Sequence, residues 1–283
     1  MTMTGEIRVR IKNATGLALA AIVHIPSSQG KHPAVINLHW FTGYKEEKNN
    51  ASLSRELADR GCVAIRFDCS GSGESGGTMK DDYRMTNYLS DIDCVYRFIR
   101  EHPHVDAKRV AVWGHSMGAM LAIIWGSKHP ELRAICAVSP PVELGKTDWL
   151  AQFLDDWKKT GWFTKVSQSG HGTSRVSWAF MEDAAKYNTL GFAGKVRSPL
   201  MVILGLAEDT VPPEHSREIF RRAREPKELV EIPGMSHDYK KSPKYIQIVN
   251  DASISFLEKY LKTATTASLM SRAPCGRRCY AMW

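Results

Sequence analysis

The pentapeptide Gly114-His115-Ser116-Met117-Gly118 constrains the fold of this chain more than any other feature of its sequence. Residues 110–113 before it are apolar and β-branched, which predicts a buried strand, and residues 119–125 after it favour a buried helix. Glycines two residues before and after a serine allow a tight strand-to-helix turn that lifts the hydroxyl above the sheet edge. The helix N-terminus there favours negative charge. We therefore predict that Ser116 is a nucleophile, against the alternative of an ordinary glycine-rich turn.

Strands and helices are predicted to alternate along most of the chain. Short apolar runs indicate eight strands, near residues 7, 19, 36, 64, 111, 136, 202 and 230. Amphipathic stretches between them, such as residues 85–101 and 243–261, indicate helices. This alternation predicts an α/β fold with a mostly parallel eight-stranded sheet and helices on both faces. The serine turn follows the fifth strand.

The alternation stops between the sixth and seventh strands. Residues 142–196 are rich in aromatic side chains and are predicted to form a cap that folds over Ser116 and lines the substrate pocket. Residues 1–141 and 197–262 are then the two parts of the core. Residues 263–283 combine three arginines with two cysteines and lack any helical or strand period, so we interpret them as a dispensable tail that resembles cloning-vector read-through.

Composition excludes several other classes of protein. The 283 residues suit one large domain, and the formal net charge of +8 is spread over a surface that also carries acids, so no nucleic-acid partner is expected. No apolar run is long enough to span a membrane, and the first residues lack a signal-peptide pattern, which favours a cytoplasmic location. The spacing Cys275-x-x-x-Cys279 has no second half, so no metal is expected. The oligomeric state stays open, with a homodimer as one alternative.

A serine nucleophile needs a base and an orienting carboxylate, which in this chain order should follow later strands. The loop after the eighth strand supplies His237 as the base. The loop after the seventh strand offers two adjacent acids. We favour Asp209, because it opens an Asp-Thr-Val-Pro-Pro sequence, and keep Glu208 as the alternative that a different loop register would select.

Five segments together resemble the α/β-hydrolases and, within them, the cinnamoyl/feruloyl esterase-like carboxylesterases. They contain the sequences HWFTG (39–43), DCSGSGES (68–75), GHSMG (114–118), DTVPP (209–213) and GMSHDY (234–239), and the similarity covers residues 7–261. The resemblance implies that the backbone amides of Met117 and Phe41 form an oxyanion hole. Trp40 departs from the family pattern, which has glycine there, and is expected to reshape the loop and narrow the acyl pocket.

The resemblance also implies an activity. Ser116 would attack the carbonyl of a small-molecule carboxylic ester, His237 would transfer the proton, and water would release the acyl group, with no cofactor. Short-chain or aromatic esters are the expected substrates. Two alternatives stay open: a thioesterase or aminopeptidase-like acyl hydrolase with the same catalytic residues, and a non-catalytic α/β-hydrolase-like binding protein.

Overall fold

The eight strands predicted from the sequence form one sheet in the computed structural model, which describes residues 5–166 and 172–262. The strands are β1 (Gly5–Lys12), β2 (Ala18–Ile25), β3 (His32–Leu38), β4 (Val63–Phe67), β5 (Val105–His115), β6 (Ile135–Val138), β7 (Trp162–Val166), β8 (Thr173–Ser177), β9 (Leu200–Gly205) and β10 (Lys227–Ile232). The main sheet has the order β1-β2-β4-β3-β5-β6-β9-β10, and β7 and β8 form a separate hairpin. Only the pairings of β2 with β1 and with β4 are antiparallel in the main sheet.

Helices connect these strands and cover both faces of the main sheet. They are α1 (Lys48–Asp59), α2 (Met85–Glu101), α3 (Met117–Gly126), α4 (Asp148–Ala151), α5 (Leu154–Thr160), α6 (Ala179–Ala184), α7 (Leu190–Ala193), α8 (Pro213–Arg222) and α9 (Pro243–Leu261), with short 3₁₀ helices at Leu144–Lys146 and Tyr239–Lys241. The predicted α/β fold with a mostly parallel eight-stranded sheet is confirmed.

Successive side chains of β5 point to opposite faces of the sheet, so this strand contributes to the hydrophobic cores on both faces. Val112 packs on the side of α2, α3 and α8, whereas Ala111 and Trp113 pack on the side of α1 and α9. A strand that is covered on both faces must be apolar at consecutive positions, and this explains the continuous apolar run in the sequence of β5. The Trp113 indole is fully buried and donates its Nε1–H to Ser253 Oγ at 3.1 Å, so the polar atom it brings into the core is satisfied.

The segment between β6 and β9 contains α4 to α7 and the β7–β8 hairpin. Its inner side chains pack against the core loop that follows β3: the Phe41 ring lies 4.9 Å from that of Phe180 and 6.1 Å from that of Trp157, between centroids. The predicted cap therefore contacts the core through aromatic side chains. The predicted tail, residues 263–283, lies outside the described residues.

Candidate active site

Ser116 occupies the strained turn that the sequence predicts between β5 and α3. Its φ is 56° and its ψ is −122°, a backbone conformation that a non-glycine residue rarely adopts. A Cβ atom on Gly114 would lie 2.3 Å from the carbonyl oxygen of Gly118, and one on Gly118 would lie 2.4 Å from that of Leu38. Both neighbours must therefore be glycine for the turn to pass so close to itself and to the end of β3.

The serine hydroxyl is the first member of a hydrogen-bonded chain of three side chains. His237 Nε2 lies 3.0 Å from Ser116 Oγ, and His237 Nδ1 lies 2.9 Å from Glu208 Oε2. The imidazole is 12% exposed and the carboxylate 1% exposed. An imidazole held between a hydroxyl and a buried carboxylate can take the hydroxyl proton at Nε2, while the carboxylate fixes its orientation and stabilises the imidazolium.

The carboxylate against His237 belongs to Glu208, so the prediction that Asp209 orients the imidazole is wrong. Asp209 is exposed at the cavity mouth, where its Oδ1 accepts a hydrogen bond from Thr210 Oγ1 at 3.2 Å. Two backbone hydrogen bonds set this register: Leu206 N–H donates to Ile232 O and Ala207 N–H to Met235 O, both at 3.0 Å. The two loops are held side by side, so that residue 208 turns towards the histidine and residue 209 away from it.

Ser139, the residue after β6, is a site residue that the sequence analysis missed. Its hydroxyl donates to Glu208 Oε1, the carboxylate oxygen that does not face His237, and its own backbone N–H donates to Ile203 O at 2.7 Å. Ser139 is buried and has a φ of 48°, which makes it a second strained non-glycine residue at this sheet edge. No motif surrounds it, and only the position just after a strand could have signalled a site residue.

Removal of the Ser139 hydroxyl tests whether this contact positions the carboxylate. A hydrogen bond to a charged group contributes about 1.5–3 kcal/mol, so Ser139→Ala is expected to lower kcat on a p-nitrophenyl ester by about tenfold, with KM little changed. Ser198→Ala is the matched control, because that buried hydroxyl has no hydrogen-bond partner within residues 5–166 and 172–262. Equal kcat values for the two variants would exclude a positioning role for Ser139.

The loop after β3 presents the predicted oxyanion residue Phe41. The loop is fixed on both sides of it, because His39 N–H donates to the Tyr88 hydroxyl at 2.9 Å and Thr42 N–H to the Tyr83 hydroxyl at 2.7 Å. Within the described residues, the backbone N–H groups of Phe41 and Met117 have no hydrogen-bond partner. Both amides are thus free to donate to an incoming oxygen, as an oxyanion hole requires.

His39 supports this loop as a neutral imidazole. Its Nε2 accepts the Cys69 N–H at 3.3 Å, so Nδ1 carries the proton and donates to Trp40 O at 2.9 Å. Burial lowers the pKa of His39, which keeps it in this form. The ring thus joins the loops after β3 and β4 and holds the Phe41 amide in place.

Ser116 and His237 open into a cavity of about 410 Å³ between the core and the cap. Its walls mix apolar and charged side chains, including Trp40, Phe41, Trp149, Leu150, Val211, Glu47, Lys165, Asp238 and Lys240. A volume of this size can hold a small organic molecule.

Comparison with known proteins places the chain in a family. The model of the prolyl oligopeptidase family matches residues 49–264, which include Ser116, Glu208 and His237. The chain belongs to the prolyl oligopeptidase family. Among curated relatives, it is 22% identical over 266 residues to the polyketide transferase ATR5 of Stachybotrys chlorohalonatus, covering 81% of this chain and 89% of that protein.

Solved structures similar to this family member are α/β-hydrolases. The α/β-hydrolase GrgF from Penicillium sp. sh18 superposes with a TM-score of 0.78 at 17% identity, over 92% of this chain and all of GrgF. Est1E from Butyrivibrio proteoclasticus, solved with ferulic acid bound, superposes with a TM-score of 0.73 at 21% identity, over 89% of this chain and 99% of Est1E. The predicted α/β-hydrolase fold is confirmed.

Trp40, which the resemblance marks as unusual, packs beside the turn that carries Ser116. Its ring meets the His115 ring edge-on at 5.2 Å between centroids, and Lys240 Nζ lies 4.1 Å from the centre of the Trp40 ring. His115 in turn packs against the His237 ring at 4.9 Å, and burial lowers the pKa of His115 well below its ordinary value. A neutral ring beneath His237 does not compete with it for protons or for the Glu208 charge.

Only some of the aromatic side chains of the cap line the cavity beside Ser116. Trp149 lines the cavity together with Ser116. Trp157 is buried in the aromatic cluster around Phe41, and Trp162 lies under the Arg175 guanidinium at 4.2 Å, so neither lines the cavity. Of these three tryptophans of the cap, Trp149 is therefore the one that lines the cavity.

The described part of the chain contains neither a candidate metal site nor a helix that could span a membrane. No group of three or more His, Cys, Asp or Glu side chains in residues 5–166 and 172–262 is arranged to hold a metal ion. No helix in those ranges is long and apolar enough to cross a membrane.

Proposed function

We propose that the chain is a serine carboxylesterase that hydrolyses small-molecule carboxylic esters through an acyl-enzyme intermediate. The observation that carries the proposal is the position of His237 between Ser116 Oγ and the buried Glu208 carboxylate, at 3.0 and 2.9 Å. The free amides of Phe41 and Met117 and the adjoining cavity support it. ATR5 is named as a transferase of polyketides and Est1E was solved with ferulic acid, which supports acyl chemistry on oxygen-bearing organic substrates.

The reaction proceeds in two steps. His237 Nε2 takes the Ser116 proton as Oγ attacks the ester carbonyl, and the Phe41 and Met117 amides donate to the resulting oxyanion. Each such donor contributes about 3–4 kcal/mol to transition-state stabilisation. His237 then gives the proton to the leaving alcohol. Water attacks the acyl-Ser116 carbonyl by the same route in reverse and frees the carboxylic acid.

A panel of acyl donors tests the reaction class. The purified protein is assayed with p-nitrophenyl acetate and butyrate, methyl ferulate, acetyl-CoA and alanine p-nitroanilide, and Ser116→Ala gives the background rate. Esters are expected to turn over fastest. Faster cleavage of the anilide or of the thioester would move the proposal to an aminopeptidase-like or thioesterase activity. A folded protein without turnover on any donor would be a binding protein.

Trp149 is expected to shape which acyl groups the cavity accepts. Trp149→Ala removes the ring from the cavity wall and with it an apolar contact to the acyl group. The kcat/KM for methyl ferulate is therefore expected to fall by about tenfold, whereas that for p-nitrophenyl acetate should change little. The matched control is Trp162→Ala, because Trp162 lies outside the cavity. An equal response of both esters to Trp149→Ala would mean that the residue does not select the acyl group.

A further inference from the structure

A lysine occupies an inward-facing position of the β7–β8 hairpin. Residues on one face of a hairpin alternate along each strand and pair across it. Phe163 pairs with Val176 and Lys165 pairs with Ser174, so these four side chains share the face that looks into the protein. Phe163, Val176 and Ser174 are buried. Lys165 and Ser174 lie at the end of that face, and both line the cavity that contains Ser116.

The ammonium group of Lys165 forms no ion pair with a carboxylate in the part of the chain that the structure describes. Its Nζ lies 4.9 Å from the centre of the Trp149 ring. Residues 1–4, 167–171 and 263–283 contain neither aspartate nor glutamate. Among the residues that the structure describes, no aspartate or glutamate side chain forms an ion pair with Lys165.

The other two lysines of the cavity are already paired. Lys240 lies 3.4 Å from a Glu47 oxygen and 3.6 Å from an Asp238 oxygen, and Lys241 lies 2.7 Å from Asp238. Burial lowers the pKa of Lys165, the charges of Lys240 and Lys241 lower it further, and those of Asp238 and Glu47 oppose this change. Lys165 is thus a partly buried cation that has both cations and carboxylates near it and no carboxylate in direct contact. An anion that contacts its ammonium group would offset the cost of its burial.

We propose that Lys165 binds an anionic group of the substrate, so that the enzyme acts on esters that carry a carboxylate at a distance from the scissile bond. This inference rests on the proposed function and adds the charge of the substrate to it. The substrate carboxylate supplies the counter-ion that Lys165 lacks, and the Trp149 and Trp40 rings contact the apolar part of the molecule between that carboxylate and Ser116.

Pairs of esters that differ in one charge test the inference. Mono-p-nitrophenyl adipate is compared with p-nitrophenyl hexanoate, and this pair places the carboxylate on the acyl side. The second pair, 4-acetoxybenzoate and its methyl ester, places it on the alcohol side of the acetyl ester. Lys165→Met removes a charged hydrogen bond to the substrate carboxylate. Its kcat/KM for at least one anionic ester is therefore expected to fall by about tenfold, through a higher KM. Its kcat/KM for the neutral ester of the same pair should change little. Lys165→Arg should restore most of the loss.

The control variant is Lys195→Met, because Lys195 also lies over an aromatic ring, that of Phe192 at 5.3 Å, but outside this cavity. It should leave the anionic-to-neutral ratio unchanged. If Lys165→Met also leaves both ratios unchanged while Ser116→Ala abolishes turnover, the inference fails and the proposed function stands.

A binding measurement decides the inference even if the wild-type protein hydrolyses neither member of a pair, which would overturn the proposed function. Ser116→Ala is titrated with monomethyl adipate and with dimethyl adipate, and tryptophan fluorescence reports binding. Tighter binding of the monoanion, lost in the Ser116→Ala, Lys165→Met double variant, supports the inference. Equal binding of the two compounds, or no binding of either, overturns it.

Discussion

Ser116→Ala is expected to lower kcat on p-nitrophenyl butyrate by at least about 10³-fold and by as much as about 10⁶-fold, because loss of the nucleophile removes the acyl-enzyme route. Any residual rate comes from substrate binding and from the free amides of Phe41 and Met117. Alanine carries the same Cβ atom as serine, so the substitution adds no steric strain at this φ of 56°, and the fold and the thermal midpoint should be retained. Initial rates and a thermal melt of the same preparation measure both effects.

The control for this variant lies at the other end of the same helix. Ser127 Oγ donates to Ile124 O at 2.7 Å, away from the cavity mouth, and Ser127→Ala should keep the wild-type kcat. A Ser116→Ala protein that is folded and retains more than a small fraction of the wild-type rate would show that another residue is the nucleophile.

Glu208→Gln is expected to lower kcat by about 10⁴-fold, as loss of the orienting carboxylate does in other hydroxyl–imidazole–carboxylate sites. The Glu208 side chain is 1% exposed and accepts hydrogen bonds from both His237 and Ser139. A neutral amide cannot stabilise the imidazolium that forms when His237 takes the serine proton, and its NH₂ group would face one of these donors. Steady-state kinetics on the same ester measure the loss.

The neighbouring acid provides the matched control. Asp209 is exposed, and its only side-chain hydrogen bond among the described residues is with the Thr210 hydroxyl, so Asp209→Asn should change kcat by less than about threefold. If Asp209→Asn is the crippled variant and Glu208→Gln retains activity, the assignment of the carboxylate is wrong.

The strands, the helices that follow them and the serine turn could be predicted because each depends on local sequence. Apolar runs such as residues 200–204 are buried on both faces of the sheet, and the amphipathic periods of residues 85–101 and 243–261 match α2 and α9. The two glycines around Ser116 are required by contacts within one short turn and with the end of β3. Short-range sterics thus account for what the sequence predicted well.

The acid could not be predicted because its register depends on a contact between two distant loops. Glu208 and Asp209 are adjacent and chemically alike. The hydrogen bonds of Leu206 to Ile232 and of Ala207 to Met235 decide which one turns inward. Gly205 permits this approach, since a Cβ there would lie 2.0 Å from Met235 O. A motif within one loop does not determine how that loop aligns with a second loop from a distant part of the chain.

Tertiary packing also hid the cap residues. Aromatic density predicted that residues 142–196 would fold over Ser116 and line the substrate pocket. It could not separate Trp149, which lines the cavity, from Trp157, which packs on Phe41. Lys165 and Ser139 lie in no motif. The position of Lys165 follows from the register of the β7–β8 hairpin, and that of Ser139 follows from the long-range pairing of β6 with β9.

Covalent labelling tests most directly the claim that Ser116 is an activated nucleophile. The wild-type protein is incubated with a fluorophosphonate probe, and the adduct is located by intact-mass and peptide mass spectrometry. We expect a single adduct per chain, on Ser116, with slower labelling of Glu208→Gln and none of Ser116→Ala. A folded wild-type protein that takes up no probe, or that carries the adduct on a different residue, would contradict the account.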